Sequence, residues 1–412
     1  MNSSSSSILD FKKLMTARFF FTLAVQMQAV VVGWRIYELT QDPLSLGLIG
    51  LAEAIPALSL ALWAGYIVDH SRPIGVYRWV LEGSLISALI LLFSGLFQDQ
   101  VSSFWQIAAL YVASVFTGGA RAFSQPAMFA ILPRIIKREE VSQAQAWTST
   151  VMQVARVAGP ALGGLVFGFL GLTTSFVLIC ALLLIALVAT YLIRAHIEAP
   201  MMTGEVRSMR AQLAEGARFV FGHPILFPAL TLDMVSVLFG GVTALLPIFA
   251  KEILNVGPRG LGALRAAPAV GAAIMGLYLA RVPLRHRAGS WLFTAVAGFG
   301  VCILVFAASK NFYLSIFALG MSGVFDSVSM VVRSTAVQLA SPDHMRGRIS
   351  AVNSMFIGSS NELGEFESGL AAKLLGTVPA AYVGGAICLL TVGVMAILSP
   401  ALRKLDLDKV SA

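Results

Sequence analysis

The residues best suited to chemistry are three glutamates in an otherwise apolar stretch near the end of the sequence. They lie within residues 361–367, which read Asn-Glu-Leu-Gly-Glu-Phe-Glu. On a helix, Glu362 and Glu365 share a face because they are three residues apart, whereas Glu367 lies off that face. Neighbouring carboxylates in a low-dielectric site favour proton binding, so the pattern predicts proton uptake near neutral pH. The alternative is that these acids only neutralise arginines elsewhere in the fold.

Other charged and polar residues also lie inside apolar stretches. A charge at mid-membrane depth costs about 2.5–3.5 kcal/mol and therefore indicates a structural or functional partner. Asp233 and Glu53 follow Glu362 and Glu365 as candidates for proton coupling. A second set is predicted to line a cavity or to form charge pairs. It comprises Thr22, Gln26, Arg121, Arg156, Arg265, Asp326, Arg333 and Asn361.

Two pairs within this second set share a helix face. Thr22 and Gln26 are four residues apart and form a polar stripe suited to lining a cavity, whereas Gln28 lies on another face. Asp326 and Arg333 are seven residues apart, which is two helical turns. We therefore expect each of them to pair with another helix rather than with each other.

The composition shows what kind of molecule must position these residues. Of the 412 residues, 57% are hydrophobic and only 12% are charged, against about 25% charged in a typical soluble domain. This excludes an ordinary soluble enzyme and a disordered chain. The net charge of +8 comes from basic residues in small groups between apolar runs, so we expect no nucleic-acid partner.

The sequence also lacks the patterns of a metal or nucleotide site. Its three cysteines lie in apolar stretches without ligand spacing, and its five histidines lie in or near connections. The phosphate-binding pattern Gly-x4-Gly-Lys-Ser/Thr does not occur. We therefore expect no enzyme activity, no metal and no cofactor.

Apolar runs of membrane-spanning length predict an all-α membrane protein with twelve transmembrane helices in two pseudo-symmetric six-helix bundles. The predicted organisation is a tail (1–14), a first bundle (15–194), a linker with an amphipathic helix on the membrane surface (195–222), a second bundle (223–402) and a tail (403–412). The predicted spans are 15–38, 45–68, 76–97, 104–130, 143–170, 173–194, 224–249, 260–282, 289–308, 311–337, 347–374 and 380–402.

The distribution of Lys and Arg predicts the orientation. With the N-terminus inside, twenty basic residues lie in or beside inside segments, among them Lys12, Lys13 and Arg18, and four lie in outside segments. Because inside loops carry an excess of Lys and Arg, both termini are expected in the cytoplasm. The clean alternation also supports an even number of spans.

The two halves show a weak internal repeat. A shift of 212 residues places Pro56 on Pro268, and a shift of 205 places Gly159 on Gly364. Duplicated halves are common in transporters. Charges at matched positions often differ in sign, so we hypothesise that some of them pair between the halves. These are Glu53 with Arg265, Asp69 with Arg281, and Arg121 with Asp326.

Three local motifs resemble those of the major facilitator superfamily. Residues 65–72, between spans two and three, resemble its loop motif through Gly65, Asp69 and Arg72, although Pro73 and few basic residues follow. Residues 159–164 resemble the Gly-Pro-x-x-Gly-Gly motif of its exporters through Gly159, Pro160, Gly163 and Gly164. Residues 342–348 resemble the Pro-Asp-x-x-Arg-Gly-Arg stretch of the branch that holds the enterobactin exporter and related drug exporters.

This resemblance implies a secondary active transporter in the bacterial cytoplasmic (inner) membrane. The expected activity is proton-coupled export (antiport) of a small organic molecule, such as a siderophore or an amphiphilic drug, by alternating access. The expected partners are this substrate, protons and the lipid bilayer, and the protein is expected to be monomeric. Alternatives are an importer, a lipid or lysophospholipid flippase of the same fold and, more distantly, a receptor or scaffold that does not transport.

The resemblance also assigns roles to the motifs. Asp69 is expected to accept hydrogen bonds from a neighbouring helix N-terminus or arginine and so to lock the cytoplasmic side. Otherwise the loop only sets topology. The small residues of 159–164 are expected to allow close helix packing, and Pro160 a kink. A role in the direction of transport remains open beside packing alone.

Overall fold

A computed structural model describes residues 3–136, 140–193, 209–282, 284, 286–342 and 345–407. The regular structure in these ranges is helical. Ten of the described helices are long and apolar enough to cross a membrane. Most apolar ranges predicted from the sequence fall on the helices within a few residues. Two differ: the helix over 15–38 begins twelve residues earlier, at Ser3, and the range 224–249 is divided after Gly240 into several helical segments.

The chain forms long helices joined by short connections. In chain order they are α1 (Ser3–Thr40), α2 (Pro43–His70), α3 (Pro73–Leu96), α4 (Ser103–Ile135), α5 (Val141–Tyr191), α6 (Met209–Gly222), α7 (Leu226–Gly240), a 3-10 turn (Thr243–Leu245), α8 (Leu246–Ile248), a π-helical turn (Phe249–Ile253), α9 (Gly257–Arg281), α10 (Ala288–Ala308), α11 (Phe312–Ala340), α12 (Arg346–Leu375), α13 (Thr377–Leu398) and α14 (Pro400–Arg403).

Local sequence explains where several helices begin and break. The Asp42 side chain accepts the Leu44 amide at 3.1 Å and caps α2, whose first residue is a proline. Asn311 caps α11 in the same way through the amides of Tyr313 and Leu314. Helix α5 is interrupted at Gly171, where φ is +82°, a conformation that glycine adopts without steric cost. This break lies between the predicted ranges 143–170 and 173–194.

The first compact unit, called unit 1, comprises Met1–Met202 and Asn255–Ala266. Within it, α1 packs against α5, α2 packs against α4, and α3 packs against α4 and α5. Gly118 lets α4 touch α2, because a Cβ at this position would collide with the backbone carbonyl of Glu53. Close approach at a glycine is typical of helix pairs in membranes.

The second compact unit, called unit 2, comprises Thr203–Leu254 and Ala267–Ala412. Within it, α7 packs against α12 and α13, and α10 packs against α11 and α13. One buried core includes Leu232, Leu292, Val296 and Val332.

Helix α6 lies within the segment predicted as a linker and packs against α12. The sequence analysis predicted an amphipathic helix on the membrane surface in this segment. Its Val220 side chain is 0% exposed and belongs to a core shared with Leu226 and Ile349. Arg348 Nη1 donates to Glu215 Oε2 at 2.6 Å and fixes α6 beside the start of α12.

Several predicted features lie outside the described residues. These are residues 194–208 of the linker, the tail 408–412, Asp343 and His344 of the 342–348 motif, and the side chains of Arg346 and Glu362.

Candidate functional site

A buried ion pair joins two helices of unit 2. Arg333 on α11 pairs with Asp233 on α7, and the two side chains are only 5% and 8% exposed. A buried charge requires a partner because burial removes it from water. The sequence analysis expected Arg333 to have a partner on another helix, and Asp233 supplies it.

Asp326 lies two turns before Arg333 on α11 and lines the same small cavity as Asp233. The cavity has a volume of about 10 Å³, which is room for about one water molecule. Ser236 and Ser329 also line it, and the buried Ser329 Oγ makes no hydrogen bond within the described part of the chain. The Asp326 carboxylate likewise has no hydrogen bond or ion pair with any described residue. It is therefore an uncompensated acid beside a compensated pair.

The glutamates of α12 make fewer identified contacts than Asp233 and Arg333. Glu365 and Glu367 are half-buried and form no ion pair with a described residue. Glu362 belongs to α12, but its side chain lies outside the described atoms. Asn361 is exposed and donates to the Ile357 carbonyl of its own helix at 2.8 Å. The structure thus brings Asp233, Asp326 and Arg333 together, and it shows no contact from this glutamate group to them.

An ion pair in unit 1 is much more exposed than the pair in unit 2. Arg121 Nη1 on α4 donates to Glu53 Oε2 on α2 at 3.0 Å, and their side chains are 44% and 22% exposed. The sequence analysis singled out both residues but matched Glu53 with Arg265, which lies half-buried in α9. The ion pair that Glu53 makes here joins two helices of one unit.

Two further arginines, Arg18 and Arg156, lie close to this pair. The buried guanidinium of Arg18 donates to Gln125 Oε1 at 3.1 Å and contacts Met152 Sδ at 2.7 Å. Gln125 lies one turn after Arg121 on α4, and Met152 lies one turn before Arg156 on α5. Arg18, Arg121 and Arg156, hereafter the basic cluster, therefore lie at neighbouring levels of three packed helices. Arg156 is close enough to Arg18 and Arg121 to repel both of them.

The polar stripe of α1 lies on the same helices. Thr22 and Gln26 are half-buried, and Gln26 packs against Gly159, where a Cβ would lie 2.5 Å from the Gln26 Cβ. Gln28 faces elsewhere, as its spacing indicates, and is buried. Its Nε2 donates to Ser87 Oγ at 3.1 Å and to Thr117 Oγ1 at 3.0 Å. Sequence reasoning missed these two hydroxyl partners because Ser and Thr within apolar helices carry no distinctive spacing.

The glycines of the exporter-like motif bring α5 close to its neighbours in unit 1. A Cβ at Gly163 would lie 3.0 Å from Met27 Cα, and one at Gly164 would lie 2.6 Å from Gly262 Cα. Pro160 lies inside α5, between Gly159 and Gly163. The motif therefore packs α5 against α1 and against the start of α9.

The loop motif is exposed within its unit. Gly65 lies in α2, Asp69 lies at the exposed end of that helix, and Arg72 precedes α3 as an exposed residue. Asp69 makes no hydrogen bond or ion pair with any described residue, and the Arg72 side chain does not cap α3. The gating role of this motif stays a prediction.

Comparison with known proteins agrees with the fold and with the motifs. Residues 6–412 match the transmembrane secretion effector family. The multidrug efflux pump Tap of Mycolicibacterium fortuitum is 25% identical over 390 residues, which cover 92% of each chain. The enterobactin exporter EntS of Escherichia coli O1:K1 / APEC is 25% identical over 292 residues, covering 71% of this chain and 69% of that exporter.

A similar fold occurs among solved structures. A bacterial homologue of the iron transporter ferroportin, solved in an inward-facing state, matches with a TM-score of 0.72 at 17% identity, covering 96% of this chain and 99% of that chain. The ten apolar helices and the matched family make this a multi-pass integral membrane protein that transports a small molecule. The chain belongs to the transmembrane secretion effector family of the major facilitator superfamily.

Proposed function

We propose that the protein is a proton-coupled exporter (antiporter) of small organic molecules that works by alternating access. Membership of the family supports transport, and the relatives support export, since one is a multidrug efflux pump and another an enterobactin exporter. By this likeness the substrate class is an amphiphilic drug or a siderophore. The proposed location is the bacterial inner membrane, with both termini in the cytoplasm. The protein is proposed to act as a monomer.

Twelve spans in two six-helix bundles, 15–194 and 223–402, are part of this proposal. A continuous helix as long as α5, which has 51 residues, would extend about 75 Å, more than twice the apolar thickness of a bilayer. The break at Gly171 divides it into two spans of ordinary length. Helix α12 has 30 residues and is long enough to span the membrane, but its glutamates lower its hydropathy. Counting both gives the twelve spans predicted from the sequence.

One observation carries the coupling proposal. The Asp326 carboxylate, which has no ion-pair partner among the described residues, lies beside the Asp233–Arg333 pair. Asp233 and Arg333 compensate each other, so the charge of the cavity depends on the protonation of Asp326. The remaining wall, from α10, contributes only Ala295, Val296 and Phe299. These side chains offer no counter-charge to the ionised carboxylate.

The Asp326 carboxylate, in a small cavity with apolar walls, is suited to bind and release a transported proton. The ionised form of Asp326 requires water, whereas the protonated form is neutral and tolerates a dry environment. A conformational change that alters access of water to the cavity therefore releases or takes up one proton. Proton movement coupled to such a change is what an antiporter needs.

Other residues keep their predicted roles within this proposal. Glu362 and Glu365 stay candidate proton sites, because both lie on the helix α12 three residues apart, as the sequence predicted. Glu53 is a weaker candidate because Arg121 stabilises its ionised form. The motif at 65–72 is proposed to control the cytoplasmic side, and the glycines at 159–164 to set the packing of α5 that favours export.

The test is efflux from bacterial cells that lack the gene and carry either the wild-type protein or Asp326→Asn. Enterobactin and a panel of fluorescent amphiphilic dyes serve as substrates, with and without a protonophore. We expect wild-type efflux to fall to background with the protonophore. We expect Asp326→Asn to be inactive without it, although the variant reaches the membrane in normal amount.

The matched control is Asp99→Asn, which removes an exposed carboxylate between α3 and α4 and should leave efflux unchanged. Export that is insensitive to the protonophore would reject proton coupling. Normal protonophore-sensitive export by Asp326→Asn would instead reject Asp326 as the proton site.

A further inference from the structure

The basic cluster of unit 1 carries more positive charge than its surroundings compensate. Glu53 forms an ion pair with Arg121, but neither Arg18 nor Arg156 forms one within the described residues. Arg18 contacts the neutral side chains of Gln125 and Met152 and is only 7% exposed. Arginine stays protonated in proteins. The guanidinium charges of the buried Arg18 and the exposed Arg156 therefore have no counter-charge among the described residues.

The same region holds buried polar atoms without a hydrogen-bond partner among the described residues. Arg18 Nε and the Tyr77 hydroxyl are both buried without a hydrogen-bond partner in the described part of the chain, and Tyr77 is 0% exposed. Arg18 and Tyr77 are close enough to interact electrostatically. A guanidinium can only donate hydrogen bonds. The cluster therefore needs an acceptor that the described chain does not supply.

Arg156, like Arg121, is an outward-facing member of the cluster. It is exposed and makes no hydrogen bond with a described residue. One turn further along α5, Gly159 packs against Gln26 of the polar stripe on α1. An exposed guanidinium in a membrane-spanning helix requires water or a ligand, because contact with lipid tails is costly. Gln26 and Thr22 supply neutral polar groups beside it.

We infer that Arg156, together with Arg121, forms the binding site for an anionic group of the transported molecule, such as a carboxylate. Arg156 presents donors in the fork geometry that matches a carboxylate. Arg121 adds positive charge. The buried Arg18 lies close enough to Arg156 to add to the positive potential at the site. This inference rests on the proposed export function for its role in transport, but binding itself is independent of transport. A cationic group is disfavoured here because it would meet three like charges.

The test compares two probes that differ in charge but share a ring, which are benzoate and benzamide. The full-length protein, purified in detergent without added lipid, is titrated with each probe at constant ionic strength, and its thermal unfolding is followed. We expect benzoate to raise Tm by about 2 °C and benzamide to have no effect, because a ligand that binds only the folded state stabilises it.

Variants locate the site. Arg156→Gln should weaken benzoate binding about tenfold to a hundredfold, the range expected for a charge-assisted hydrogen bond. Arg156→Lys should weaken binding less, because it keeps the charge and loses the fork. Arg218→Gln is the matched control, since it removes an exposed arginine from α6 and should bind like the wild type.

Two outcomes would overturn the inference. One is an equal effect of benzoate and benzamide, or no effect of either, on the wild-type protein. The other is wild-type benzoate affinity in Arg156→Gln. Folding of this variant is checked by its Tm without probe, and Arg156→Lys provides a second variant with the charge retained.

A lipid headgroup carries the same anionic chemistry, so the titration is repeated in bilayer discs. If phosphatidylglycerol abolishes the benzoate response and phosphatidylcholine does not, a lipid phosphate competes for the site and the anion site itself is supported. The proposed export function is measured separately by the protonophore assay. Benzoate binding without proton-driven efflux would reject that function alone, and proton-driven efflux without benzoate binding would reject the anion site alone.

Discussion

Units 1 and 2 carry opposite charges at corresponding positions. Arg121 in unit 1 and Asp326 in unit 2 differ by 205 residues, the shift that relates Gly159 to Gly364. Each follows by three residues a glycine that lets its helix touch another, since a Cβ at Gly118 or Gly323 would collide with a neighbouring backbone carbonyl. The helix packing is thus repeated in the two units while the charge is reversed.

The difference separates two kinds of chemistry. The basic cluster of unit 1 holds three arginines beside an ion pair that is partly open to water, which suits an anionic ligand. In unit 2, Asp326 has no ion-pair partner among the described residues and lies beside a buried ion pair, which suits a proton. Duplicated halves therefore need not duplicate a site. The same contact geometry can support a substrate site in one half and a coupling site in the other.

The largest contrast between the units should appear when each ion pair is broken. Arg333→Met leaves Asp233 buried without its partner, so we expect unit 2 to lose about 3–5 kcal/mol of stability. Arg121→Met breaks a pair whose arginine is 44% exposed, so the loss should be below about 1 kcal/mol. Thermal unfolding of the purified variants measures both effects.

A double variant sharpens this test. Asp233→Leu combined with Arg333→Met removes both charges and should recover most of the stability lost by Arg333→Met, because no lone charge remains. If Arg333→Met and Arg121→Met lost the same free energy of unfolding, the difference in burial between the two ion pairs would not affect stability.

The next largest effect tests the feature that the units share. Gly118→Ala should push α4 away from α2 and cost about 1–3 kcal/mol, as overpacking does in a close contact. Gly323→Ala should have a similar effect in unit 2 for the same reason. Gly276→Ala, at a position of α9 with nothing within 4 Å of the added Cβ, is the control and should be neutral or slightly stabilising. Unequal costs at Gly118 and Gly323 would weaken the correspondence between the units.

These contacts show what the sequence predicts and what it does not. Helix positions follow from the length of apolar runs, so most predicted ranges agree with the helices within a few residues. The polar start of α1 and the break after Gly240 were not predicted, because neither interrupts or extends an apolar run. Glu53, Arg121, Asp233 and Arg333 stand out because charge is rare in such runs. Their partners depend on how each helix rotates about its axis, which a weak repeat does not specify, so the Glu53–Arg121 pair was not predicted.

Arg18 shows a second limit. In the sequence it lies close to Lys12 and Lys13 and was counted with them as a cytoplasmic residue that sets topology. In the structure it is 7% exposed and bonds to Gln125 across 107 residues of sequence. A basic residue just inside the start of a span can serve either purpose, and only the tertiary contact distinguishes them.

A smaller effect tests which acid of unit 2 carries the proton. If Asp326 is the site, Glu365→Gln should keep gradient-driven efflux within about twofold of the wild type, because a half-buried acid outside the cavity does not control its charge. Glu362→Gln provides the second test of the same helix. Loss of protonophore-sensitive efflux in both variants, with normal expression, would move the proton site from α11 to α12.

The smallest effect lies outside the membrane spans, where α7 begins. His223 Nδ1 accepts the amides of Ile225 and Leu226 at 3.2 and 3.3 Å, and so satisfies two of the free donors at the start of the helix. Only a ring without a proton on Nδ1 can accept them. Burial lowers the pKa of His223 below its ordinary value of 6.5.

The sign of the pH dependence follows from this lowered pKa. Above the unfolded value of 6.5, the ring is neutral in both states and the stabilising contribution of the cap is complete. As pH falls below that value, the unfolded chain binds the proton first, so this contribution is progressively lost. The loss should stay below about 1 kcal/mol because the ring is partly exposed to solvent.

Thermal unfolding between pH 7.5 and 5.5 checks this prediction against His223→Asn. Asparagine also accepts amide hydrogen bonds at a helix start but does not titrate in this range, so the variant should lose less stability on acidification than the wild type. His70→Asn, in unit 1, is the control and should leave the wild-type difference in place. If His223→Asn and His70→Asn lost the same stability on acidification, the start of α7 would not be the pH-sensitive element that distinguishes unit 2 from unit 1.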